Sequence, residues 1–107
     1  MVAWLFLIAA GICEIGWPVG FKLAQAAEHR LLGILMATIC IGLSGFCLFM
    51  AQKSIPMGTA YAVWTGIGAA GTFVLGVIAF REPSTFLSWL GVAMIIGGVI
   101  VLKIANK

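Results

Sequence analysis

The sequence predicts an all-α membrane protein built from four transmembrane helices. Three observations point to this. Of 107 residues, 64% are hydrophobic and only 8% are charged, whereas soluble domains carry about 25% charged residues. The apolar residues gather into four stretches, each close to the ~20 residues that span a bilayer. The polar breaks between the stretches are short, so very little of the chain is left outside the membrane. The whole chain, residues 1–107, reads as a single four-helix transmembrane domain.

The first span covers about residues 3–21. It has neither the basic leader nor the small-residue cleavage site of a secretory signal, so it is expected to be retained. Within it Glu14 is the only formally charged side chain in the interior of any apolar segment; the others sit at segment ends or in connectors. At about 1.5 Å per residue it lies roughly 16 Å from the start of the span. That is near the middle of a hydrocarbon layer about 30 Å thick. An acid at that depth costs about 2.5–3.5 kcal/mol to insert, and such acids normally face a bundle interior or a wet cavity. Two uses are open for it: a protonated structural acid bonded to a neighbouring helix, or an ion or proton site. Trp17 is three residues on and shares the helix face, with an indole N–H that can donate to the carboxylate. Pro18 removes the helical bond to the Glu14 carbonyl and is expected to loosen or kink the helix there. That would either free an acceptor beside the acid or merely bend the helix for packing.

The second span, about 31–51, carries Ser44 near its middle between Gly42 and Gly45. Its hydroxyl has two expected partners, Glu14 or its own helix, the latter being the commoner fate of a lone membrane serine. The third span, about 58–80, opens with Tyr61 and Trp64, three apart on one face. Aromatics near a helix end are usually interface anchors, but Trp64 is two turns inside, and aromatic faces attract cations. Gly66, Gly68 and Gly71 make the centre of this span glycine-dense, suited to a bend or a close helix contact. The fourth span, about 86–104, has Gly91, Ala93, Gly97 and Gly98 on one face. Small residues let membrane helices approach closely, which suits either a dimer contact or packing within one protomer.

The connectors, about 22–30, 52–57 and 81–85, are short enough to make consecutive helices antiparallel neighbours, with Pro56 and Pro83 marking breaks. One side of the membrane then holds Lys53, Lys103 and Lys107; the other holds Lys22, Arg30 and Arg81. A tally of three against three sets no orientation by the positive-inside rule, which leaves insertion in both orientations open. Four helices are too few to enclose a cavity and also shield a central acid from lipid, so a second subunit is expected. Cys13, Cys40 and Cys47 fit no zinc spacing and read as free apolar side chains. His29 falls in a connector. No phosphate loop, metal cluster or nucleophile–base pair is present, so no enzyme, cofactor or metal is expected. The scattered basic residues form no nucleic-acid-binding cluster.

Along its whole length the chain resembles the small multidrug resistance family of proton-coupled exporters. The resemblance rests on four spans in a chain of this size, the lone Glu14, and the run from Pro56 through Gly58, Ala60, Tyr61 and Ala62 to Trp64. Glu14 with Trp17, and Trp64-Thr-Gly-Ile-Gly68, are similar to the guanidinium-exporter branch; the quaternary-ammonium branch typically has Gly in place of Trp17 and Ser in place of Thr65. The resemblance implies an antiparallel, dual-topology homodimer in the bacterial inner membrane that exchanges guanidinium for protons. It implies that Glu14 binds both substrate and protons, that Trp17, Ser44 and Tyr61 line the site, and that Trp64 is a pocket aromatic. The chain departs from the branch at Pro18, usually Ala, and in a first connector, 23–30, that looks longer by one residue. Gly45 and Cys47 are smaller than usual around Ser44, which would suit substituted guanidinium or hydrophobic cations. The rival readings are a quaternary-ammonium or multidrug exporter, which Trp17 disfavours by filling space; a heterodimer, which the even charge tally disfavours; and a non-transporting subunit with a proton-binding acid, in which the third-span aromatics would have no role.

Overall fold

The computed structural model describes residues 2–106. Lys107, which enters the charge tally above, lies outside the described residues. Four helices make up the chain: α1 (Val2–Ala24), α2 (Arg30–Ala51), α3 (Met57–Ala79) and α4 (Phe86–Ala105). All four are long and apolar enough to cross a membrane. A short 3-10 turn, Ala27–His29, joins α1 to α2. The first span runs three residues further than its hydropathy suggests and takes Lys22 into its last turn, where a cation is favoured by the helix dipole. Pro18 does not interrupt α1, which is continuous from Val2 to Ala24; neighbouring helices make such prolines tolerable in membranes. Pro56 caps α3. Thr85 opens α4 with a capping box, in which its hydroxyl accepts from the Ser88 amide at 3.1 Å and its amide donates to Ser88 Oγ at 2.9 Å.

The helices form a slab, with principal extents of 45 × 34 × 17 Å. Its accessible surface is 6733 Å², against roughly 5,700 Å² for a compact soluble chain of this mass. Helix α1 is central, packed on α2 along one side and on α3 along the other. The expectation that consecutive helices are neighbours holds only in part for α2 and α3: their backbones approach at few points because α1 is wedged along most of their length, and they meet through side chains such as Trp64 and Ser44. Helix α4 brings its backbone close to α3 only, reaches α1 through the Lys103 ammonium over the Trp4 ring at 4.8 Å, and has no buried residue.

Small residues set these distances. Where α1 meets α2, a Cβ on Gly20 would lie 2.7 Å from the Gly33 carbonyl oxygen and 2.8 Å from the Ala37 nitrogen, so the two backbones touch. Between α1 and α3 the fit is reciprocal. Ile67 of α3 fills the space over Gly11, while Glu14 and Ile15 of α1 fill the space over Gly68 and Gly71. With α4 the contact is Val99 and Ile95 on Gly66, plus an edge-on pair of Phe73 and Trp89 with ring centres 5.0 Å apart. The buried core is correspondingly small-sided, with alanines beside Leu7, Ile55 and Val63, and Ser44 is its one polar member among the described residues.

Candidate functional site

Glu14 sits midway along α1 and is half-buried. Its side chain lies against α3 at Gly68, where a Cβ would come within 2.5 Å of the Glu14 Cγ. A glycine is needed at 68 because any side chain there would occupy the space the acid fills. Two pockets open from this point. One, of about 430 Å³, is bounded by Glu14, Trp17, Thr65, Gly68, Thr72 and Phe73. The other, of about 340 Å³, lies toward α2 and is bounded by Glu14, Trp17, Phe21, Ile41, Gly45 and Trp64. Glu14 and Trp17 form the wall common to both. Apart from the acid, the second pocket is lined by aromatic and aliphatic groups and a glycine, so a cation there has one carboxylate to meet and π-faces around it.

Behind the pockets, a chain of hydrogen bonds ties three helices together. The Trp64 indole N–H of α3 donates to Ser44 Oγ of α2 at 2.8 Å. The Ser44 hydroxyl donates onward to the Ala10 carbonyl of α1, also at 2.8 Å. In an α-helix that carbonyl is the acceptor for the amide four residues later, which is that of Glu14. Ser44 thus connects the Trp64 ring to the turn that carries the acid. It is 1% exposed and bonds neither Glu14 nor its own helix, the two partners expected for it. Replacing Ser44 by Ala leaves a partly buried indole N–H without its acceptor. Such membrane bonds contribute about 0.6 to 1.7 kcal/mol. Ser44→Ala is therefore expected to lower unfolding free energy in detergent by about 1 kcal/mol and to shift Trp64 emission, which unfolding titrations and fluorescence of a Trp64-only variant would show. Unchanged emission would mean the bond does not hold the ring.

The other expected site residues are placed less uniformly. Trp17 lines both pockets beside Glu14, but no hydrogen bond joins the two among the described residues; its ring meets Phe21 edge-on instead, with centres 5.3 Å apart. Tyr61 stacks obliquely on Trp64 at 5.4 Å but is 57% exposed and lines neither pocket. The cysteines are free and half-buried, and Cys40 covers Gly16 with its sulfur. Gly91, Gly97 and Gly98 have nothing within 4 Å of an added Cβ; each is unpartnered within the protomer. Thr65, Gly68 and Thr72 also border the larger Glu14 pocket. The sequence does not mark them as lining residues, because a threonine or glycine in an apolar helix gives no signal of the direction it faces.

A family model for Small Multidrug Resistance protein matches residues 2–95. The chain belongs to this family. Small multidrug resistance proteins from several bacteria resemble it over nearly their full length. "Guanidinium exporter" of Yersinia pseudotuberculosis is 40% identical across 98% of this chain and 100% of its own. "Guanidinium exporter" of Proteus vulgaris is 41% identical with the same coverage. "Guanidinium exporter" of Escherichia coli K12 is 36% identical across 98% of this chain and 99% of its own. The family and the four spans make the chain a multi-pass transport protein of the bacterial inner membrane.

Proposed function

We propose that the protein exports guanidinium in exchange for protons, with Glu14 binding the two in competition. The observation that carries this reading is the position of Glu14: one acid, midway along a membrane helix, half-buried on Gly68 and shared by two aromatic-walled pockets. The relatives named as guanidinium exporters supply the choice of cation. Guanidinium is planar and offers paired N–H donors that match a carboxylate. A proton on the acid removes the charge that the cation needs, so the two ligands exclude each other. If the helices change arrangement only when the site is loaded, exchange becomes obligatory.

Two copies of the chain, inserted antiparallel, complete the proposal. Each slab leaves its acid at an open pocket and the α4 glycines bare, and a second copy would cover both. Unlike conformers in an antiparallel pair become the same structure turned over when they exchange shapes, so the inward- and outward-facing states have equal intrinsic energy. Trp17, Ser44, Tyr61 and Trp64 are the residues proposed to line or brace the site.

A second reading, export of quaternary ammonium or other multidrug cations, draws on the open space at Gly45, which has nothing within 4 Å of an added Cβ. Purified protein in liposomes on a capacitive membrane sensor separates the two. Guanidinium pulses are expected to give currents at least tenfold larger than tetrapropylammonium pulses, with methylguanidinium close to guanidinium. A current from tetrapropylammonium alone would replace the first reading with the second.

A further inference from the structure

A third pocket, of about 280 Å³, lies at the loop end of α1 and α3 and is bordered by Trp17, Lys22, Gln25, Thr72, Gly76 and Glu82 among others. It shares Trp17, Pro18 and Thr72 with the larger Glu14 pocket, so the two are adjacent along one groove between α1 and α3. Glu82 belongs to the connector before α4, and the backbone turns it back over α3. Arg81 adopts a left-handed conformation (φ 57°), which is uncommon for a residue with a side chain. The Glu82 amide donates to the Gly76 carbonyl at 3.0 Å, and its carboxylate Oε1 lies where a Cβ on residue 76 would be. Gly76 clears space for Glu82 as Gly68 does for Glu14.

This places an acid against the C-terminal turn of α3, where the helix dipole is negative and an anion is disfavoured. A cation is the complement of that arrangement. The same end of the molecule carries Lys22, Arg30 and Arg81, a basic surrounding that repels approaching cations. Of the two acids at this end, Glu28 lies in the 3-10 turn and Glu82 lines the pocket.

We propose that this pocket is an entry subsite for small organic cations, in which Glu82 holds the ion before it reaches Glu14 along the α1–α3 groove. Lys22 lies on the same pocket wall but, among the described residues, forms no ion pair with the carboxylate, which leaves the acid available to an entering cation. The proposal rests on the transport reading above, with Glu82 as a specificity- and capture-determining residue rather than part of the coupling site.

The test compares wild-type protein, Glu82→Gln and Glu82→Asp in liposomes at two ionic strengths. Glu82→Gln is expected to raise the guanidinium KM about five- to tenfold with maximal current unchanged, and Glu82→Asp to recover part of the loss. Attraction at an exposed acid is screened by salt, over about 10 Å at 0.1 M, so the wild-type KM should rise with ionic strength and that of Glu82→Gln should stay flatter. An unchanged KM, or a fall in maximal current alone, would overturn the subsite. If wild-type protein moves tetrapropylammonium and not guanidinium, the substrate reading fails and the same comparison with tetrapropylammonium decides Glu82 independently. A readout without transport uses Glu14→Gln protein in detergent: guanidinium should alter tryptophan emission through Trp17, and adding Glu82→Gln should abolish the change. A response that survives the second substitution rejects the proposal.

Discussion

Glu14→Gln is expected to abolish proton-coupled guanidinium transport, by a hundredfold or more, while leaving the protein at least as stable as before. The size follows from the bond lost. Charge-assisted hydrogen bonds contribute about 1.5–3 kcal/mol each, and a planar cation makes two of them with one carboxylate. At about 1.4 kcal/mol per factor of ten, their loss amounts to roughly two to four orders of magnitude. The proton half of the cycle disappears as well, because an amide does not titrate. Stability moves the other way. Gln has nearly the shape of Glu, so it fits the space over Gly68, and it avoids the charge that costs about 2.5–3.5 kcal/mol at mid-membrane. Transport currents and detergent unfolding measured on one preparation would show both effects. Proton-driven uptake surviving in Glu14→Gln would remove the acid from the mechanism. A fall in stability together with activity would instead mark Glu14 as structural. Glu14→Asp is a graded version of the test: its shorter arm withdraws the carboxylate toward α1, so partial activity with a raised KM is expected.

The four helices are legible in the sequence because hydropathy and span length act residue by residue, without reference to a partner. Glu14 stands out for the same reason, since a charge in an apolar run is visible alone. What depends on helix rotation is not legible. Ser44 has no local signal for its partners, which lie 34 and 20 residues away in sequence. The i, i+3 spacing correctly places Trp17 on the Glu14 face but says nothing of its indole, which turns its ring to Phe21, one turn further along. The spatial order of α2 and α3 departs in part from expectation because short connectors limit distance between helix ends, not contact along their lengths. The glycines separate into two kinds that look identical in sequence. Gly11, Gly20, Gly33, Gly68 and Gly71 sit under neighbouring atoms, whereas Gly42, Gly91, Gly97 and Gly98 face open space.

That division makes a second strong prediction, at Gly33. A Cβ there would collide with the Ala24 amide nitrogen and the Gly20 carbonyl oxygen, and would lie 2.8 Å from the Ala24 Cα. All three are backbone atoms, so no rotamer change relieves the clash; α1 and α2 have to separate. Overpacking of this kind costs about 1–3 kcal/mol, and the upper end applies where backbone is the obstacle. Separation would also stretch the Ser44–Ala10 bond, 2.8 Å long on the same interface, and so disturb the turn bearing Glu14. Gly33→Ala is therefore expected to lower unfolding free energy by about 2–3 kcal/mol and to reduce transport even though no site residue is touched. Gly42→Ala, on the same helix with nothing within 4 Å, serves as the comparison. There the helix propensity of alanine exceeds that of glycine by about 0.8–1 kcal/mol, so a neutral or stabilising outcome is expected. Opposite signs at two glycines of one helix would establish that backbone contact, rather than glycine itself, holds α1 against α2. Equal stability of the two variants would refute the close approach, and with it the account of how Ser44 reaches across to the acid's helix.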